Sequence, residues 1–155
     1  MEHELQSYKY KRKYMKFVKE ITLVLSLITL SGCAGGLNST QKREYAAFEQ
    51  DGVLIEDKNP TVGAVLGILP GFGSFYVGEP GYGIVNLLFW PLSVLWDPVS
   101  GYDGSLSINY DATKYHLKKE KEKELSILDD QFASEQIDKE VYFSEKRKIE
   151  SKYDY

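Results

Sequence analysis

Two apolar stretches of roughly 16 residues each fill Thr61 to Asp97, and the tetrapeptide Gly78-Glu79-Pro80-Gly81 separates them. Neither stretch contains Lys, Arg or His. A helix on the surface of a water-soluble protein needs one polar side, and these have none. The pattern predicts two helices and a tight turn, a hairpin lying in or on a membrane. Each would measure ~25 Å, at the lower edge of what crosses a bilayer. Pro70 and Pro91 each remove a backbone hydrogen bond and end or kink the helix ahead of them, so partial insertion stands beside a full span. Gly63, Gly67 and Gly71 recur every fourth residue and predict a face along which two backbones pack closely. Trp90 and Trp96, with Phe72, Phe75, Tyr76, Tyr82 and Phe89, gather near the segment ends and the turn, where aromatic side chains sit at lipid boundaries. Asp97 closes the second stretch. An acid at such a boundary is either wet or functional, and the polar Ser100-Gly101-Tyr102-Asp103-Gly104 that follows favours an interfacial helix stop.

The remaining chain is polar. Thr40 to Gln50 reads as a short helix capped by Ser39 or Thr40 and closed by Gly52, with Tyr45 and Phe48 on one face. Residues 99–110 read as a loop. Asp111 can cap a helix running to Phe132, whose Lys118-Lys-Glu-Lys-Glu-Lys-Glu124 run supplies i,i+4 charge pairs. Leu117, Leu125, Leu128 and Phe132 form its thin apolar stripe. A break at Ala133 to Gln136 precedes a last helix from Asp138 to about Lys152. The fold class is therefore all-α, with no β-sheet expected.

The N-terminus changes the picture. Lys9, Lys11, Arg12, Lys13, Lys16 and Lys19 precede the apolar run Ile21 to Leu30, then Ser31, Gly32 and the sole cysteine, Cys33. Ten apolar residues reach only ~15 Å as a helix, which fits an export signal over residues 1–32 rather than a span. Met15 opens a stretch of more usual signal proportions and is an alternative start. Leu30-Ser31-Gly32-Cys33 resembles the lipobox of bacterial lipoproteins. That resemblance implies a diacylglycerol and an N-acyl chain on Cys33 and placement on the exported, periplasmic side of a membrane. By the sorting rule of enteric lipoproteins, Ala34 favours the outer membrane. Residues 33–60 then form a tether and a short helix.

Charge and chemistry narrow the function. Six basic and three acidic residues precede Cys33, so the rest holds 13 basic and 20 acidic residues, a net of about −7. That balance argues against nucleic acid and gives no attraction to anionic lipid. One cysteine forms no internal disulfide. No catalytic or metal-ligating set is found: His116 lies on a charged helix, and Gly71-x-Gly73 lacks a third glycine at Tyr76. Asp129-Asp130 and Glu120, Glu122 and Glu124 read as acids on a solvated helix. No enzyme, small-molecule substrate, metal or cofactor beyond the acyl groups is expected.

Two further resemblances bear on architecture. Phe75-Tyr76, Gly78, Gly81, Gly83 and Asp97 are similar to the pattern of the two-transmembrane-helix ("TM-two") domain, which places a tight turn between two short helices over residues 61–98. Ile137, Tyr142, Lys146 and Ile149 resemble the short C-terminal domain (SHOCT) pattern within residues 111–155, with Asp138 standing in for its Thr as helix cap; the resemblance implies oligomerisation or tethering. The expected protein is a structural or accessory envelope lipoprotein. Its partners would be the lipid bilayer and either further copies of itself or another envelope protein. The rival is a channel-like or transporter-accessory oligomer, which requires polar residues facing one another inside the hairpin; Ser74, Asn86 and Ser93 are the candidates.

Overall fold

Asn38 opens the first helix because its side chain accepts the amide hydrogens of Thr40 and Gln41, while the Gln41 side chain accepts from the Asn38 amide. This reciprocal box satisfies donors that a bare helix start leaves unpaired, and it moves the cap one residue ahead of the expected Ser39 or Thr40. The computed structural model describes Arg12, Tyr14, Met15 and residues 36–155. The rest of the expected export signal, the lipobox-like Leu30-Ser31-Gly32 and Cys33 lie outside the described residues. From that point the elements are α1 (Ser39–Gln50), α2 (Pro60–Leu66), α3 (Phe72–Tyr76), α4 (Pro80–Leu88), a 3-10 turn (Leu92–Leu95), α5 (Asp97–Ala133) and α6 (Lys139–Lys152). The described residues contain helices and no strand, as an all-α class requires.

The anticipated breaks are real. The helix ahead of Pro70 ends at Leu66 and the one ahead of Pro91 ends at Leu88. Two other boundaries differ from expectation. Residues 99–110 are not a loop, and Asp111 caps nothing: α5 is one helix of 37 residues, about 55 Å long. Gly101 and Gly104 read as turn residues because glycine costs a helix interior about 1 kcal/mol. Here they stay helical because α2 and α3 press against them: a Cβ on Gly101 would lie 2.2 Å from the Gly63 carbonyl oxygen. Close tertiary approach overrides local preference.

The apolar core sits where α1 crosses the middle of α5. Leu37, Tyr45, Phe48, Tyr110 and Leu117 are buried together, with Val53, Leu54 and Leu106 beside them. Full burial of a side chain such as Phe48 is worth about 2 kcal/mol. The segment after α1 is extended and held by two polar side chains of α5. The Asn109 amide donates to the Lys58 carbonyl and accepts from the Lys58 amide, each at 2.8 Å, and Thr113 Oγ1 accepts from the Ile55 amide at 2.9 Å. Tyr153 and Tyr155 return from the end of α6 to the same core, Tyr155 meeting Phe48 edge-on at 4.9 Å.

Glu44 links α1 to α5, its carboxylate accepting from the Tyr110 hydroxyl and the Lys114 ammonium. The Tyr110 hydrogen bond, aided by Lys114, holds Glu44 below the usual carboxylate range. Burial, then the bond to Glu44, pushes Tyr110 up to about 12. The linkage has two signs. The Glu44 contribution is full above its unfolded value of 4.5 and fades as pH falls through the lower folded value. The Tyr110 contribution is full below its unfolded value of 10.0 and fades as pH rises towards about 12. A melting profile of Glu44→Gln is therefore expected to lose part of the wild type's acid limb; identical acid limbs would show that the pair adds nothing.

α6 packs antiparallel on the far half of α5. Asp138 caps it, accepting from the Val141 amide, and Tyr142 stacks on Phe132 with ring centres 4.7 Å apart. Tyr142 also donates to Asp129, while Lys152 and Tyr153 donate to Glu124. The turn between them ends α5 in paired bonds, Gln136 N–H to the Gln131 carbonyl and Glu135 N–H to the Phe132 carbonyl. This closure needs a left-handed residue, normally glycine. Glu135 fills it at φ 57°. Glu135→Gly is expected to raise stability by about 1 kcal/mol, since a side chain in that region is strained. Thermal unfolding followed by circular dichroism checks this; a lower midpoint counts against it.

Candidate functional site

Residues 59–105 invert the usual plan of a folded domain. Eighteen large apolar side chains between Val62 and Tyr102 are exposed, reaching 76% at Leu88 and Leu95. The buried positions of the same region are small or polar: Gly63, Gly67, Gly71, Gly73, Ser74, Gly83, Asn86, Ser93, Asp97, Gly101 and Ser105. Apolar patches beyond a few hundred Å² are rare on soluble monomers and mark interaction surfaces. A polar interior under an apolar exterior is the arrangement lipid-facing proteins use.

Backbone proximity creates the interior. α2 runs antiparallel to the start of α5, so that Gly63 meets Gly101 and Gly67 meets Pro98. A Cβ would come within 2.3 Å of the Gly101 oxygen at Gly63, and within 2.4 Å of the Pro98 backbone at Gly67. The close-packing glycines are thus placed together with α5, not with the second arm of a hairpin. Gly71 departs from the expected helical face. It is a left-handed residue at φ 82° that starts α3, with its missing side chain facing the Gly83 carbonyl. That conformation is cheap only for glycine. It lets the chain double back within the first apolar stretch, so α3 climbs beside α5 until Val77 reaches Gly104. The Gly78-Glu79-Pro80-Gly81 turn forms as expected. Gly78 closes α3 at φ 81° and Pro80 opens α4, but the turn joins α3 to α4 rather than two long arms.

Asp97 lies at the centre, fully buried. It is not a wet helix stop; it begins α5 and serves as an acceptor for two other segments, α3 and α4. Oδ1 accepts from the Ser74 hydroxyl at 2.6 Å, the Asn86 amide at 2.7 Å and the Ser74 backbone N–H at 3.2 Å. Oδ2 accepts from the Gly73 N–H at 3.3 Å. The Gly73 and Ser74 amides are the unpaired donors of the first turn of α3, so Asp97 caps that helix from a distant part of the chain. It also sits in the first turn of its own helix. Negative charge is favoured at both places, because helix starts carry partial positive charge. Asn86 completes the set: its amide also donates to Ser74 Oγ at 3.0 Å, and its oxygen accepts from the Trp96 indole at 2.8 Å. Ser93 is buried, and its hydroxyl has no hydrogen-bond partner among the described residues.

The sequence-predicted residues therefore divide. Ser74 and Asn86, named for a channel, are brought together with Asp97 and saturated by one another. Trp90 and Trp96 lie on the apolar exterior, 61% and 41% exposed. Gly73, Gly83 and Gly101 escaped the sequence pattern because they line contacts between segments rather than repeat along one. The chemistry available is that of a closed polar clasp, which binds α3, α4 and the start of α5 to one another. No helix among the described residues is long and apolar enough to cross a membrane. Compared with protein-family models, curated proteins and solved structures, the chain matches none.

Proposed function

We propose that this chain is a membrane-embedded envelope lipoprotein of structural or accessory type. An apolar wedge, residues 59–105, enters the lipid, an acylated Cys33 adds a second anchor, and the α5–α6 pair stands in water for self-association or capture of an envelope partner. The observation that carries the reading is the inversion around Asp97. Inside, Asp97, Ser74 and Asn86 are hydrogen-bonded to one another while the apolar side chains face outward, with Glu79 the one charge between Asn59 and Trp96. Lipid offers no partner to a broken helix start, and Asp97 already accepts from the Gly73 and Ser74 amides at the start of α3. The lipobox-like Cys33 supports the anchor, and the SHOCT-like α6 supports the role of the charged pair. Catalysis, a metal or a small-molecule substrate has no part in this reading.

An alkaline carbonate wash of membranes tests it. The chain carries Cys33→Ser and an ordinary cleavable signal in place of residues 1–32, so that no acyl group holds it. It is expected to stay in the pellet. Release into the wash would leave lipidation as the sole anchor and remove the wedge from the membrane.

A further inference from the structure

We infer that the wedge occupies one leaflet only, entering and leaving on the side where the α5–α6 pair stands; this rests on the membrane reading above. A spanning hairpin would carry the Gly78–Gly81 turn to the opposite face from residues 57–60. Here the two lie at the same end. The Asn59 N–H donates to the Tyr76 hydroxyl at 2.9 Å, and the Lys58 ammonium lies 4.7 Å above the Tyr76 ring. Val77 packs on Gly104, and Glu79 follows two residues later. The charges that bound the wedge, Glu56, Asp57, Lys58, Glu79 and Asp103, thus form one rim. The opposite end, made of residues 67–71 and 88–96, carries none.

The depth agrees. From Gly104 at the rim to Asp97, the long helix rises about 11 Å, and the uncharged loops add a few ångströms. A leaflet offers about 15 Å, half of the ~30 Å hydrocarbon core. The N-terminal side points the same way. A Cβ on Gly36 would lie 3.0 Å from the Asp103 carboxyl carbon, so Gly36 lies at the rim. Two residues, Ala34 and Gly35, separate Gly36 from Cys33, and the three Cα steps span at most about 11 Å.

Side-specific labelling decides the matter. Glu79→Cys, Lys123→Cys and Leu95→Cys are made singly in the full chain and treated with a membrane-impermeant maleimide in sealed vesicles of either orientation. The unsubstituted chain sets the Cys33 background. Glu79→Cys is expected to label from the same side as Lys123→Cys, and Leu95→Cys only after detergent. Labelling of Glu79→Cys solely from the other side, or from neither, overturns the single-leaflet arrangement while leaving the membrane reading intact. Labelling of Leu95→Cys in intact vesicles from the Lys123→Cys side overturns both; labelling from the other side alone overturns only the single-leaflet arrangement.

Discussion

Asp97→Ala is expected to lower stability by ~3–5 kcal/mol, taking 1–3 kcal/mol for each buried donor left unpaired and allowing some relaxation. The carboxylate receives four hydrogen bonds from Gly73, Ser74 and Asn86, and alanine returns none of them. The start of α3, the Ser74 hydroxyl and the Asn86 amide would all lose a partner. Asp97→Asn is the graded control. Its oxygen can keep the three-donor position, but its NH2 group would then meet the Gly73 N–H, so an intermediate loss is expected. Thermal unfolding in vesicles, with protease resistance of residues 59–105 as a second readout, measures both. An alanine variant that melts with the wild type would show that the clasp is incidental to the fold.

The second large effect concerns single methyl groups. Gly63→Ala and Gly67→Ala are each expected to cost ~3 kcal/mol or more, at or above the upper end of ordinary overpacking. The added carbon would meet the backbone of α5 at 2.3–2.4 Å, and backbone has no rotamer by which to step aside. Gly81→Ala is the contrasting substitution. Nothing lies within 4 Å of that Cβ, and alanine is the better helix former by about 1 kcal/mol, so α4 should gain slightly. The same unfolding assay ranks the three. An order in which Gly81→Ala is worst would contradict the packing described here.

How much of this the chain discloses depends on the range of the cause. Local causes are legible: Pro70 and Pro91 end helices, Asp138 caps α6, and Tyr45 and Phe48 share a buried face. The glycine repeat correctly marks a close approach, and Ser74, Asn86 and Ser93 stand out as the polar residues inside apolar stretches. Their partner does not. Asp97 is read as a helix stop because the donors that surround it come from 11 to 24 residues away. The fold-back at Gly71 is hidden for a related reason. Pro70 signals that the helix ends, but the four-residue spacing continues through Gly67 to Gly71, and only the left-handed φ of Gly71 reveals that the chain turns back there. Gly101 and Gly104 mislead in the opposite direction, since a glycine pair between polar residues resembles a turn until α2 and α3 are laid against it. The return of Tyr153 and Tyr155 to Phe48 spans the whole domain and leaves no local trace.

The chain's own tryptophans offer the most direct test of lipid contact. Both residues, Trp90 and Trp96, lie on the exterior of the wedge, so the unaltered protein reports on what covers it. Fluorescence is recorded in vesicles whose acyl chains carry bromine, with iodide in the water as the opposing quencher. Lipid burial predicts strong quenching by the brominated chains, blue-shifted emission and protection from iodide. Emission typical of water, quenched by iodide and untouched by brominated lipid, would contradict the account at its centre.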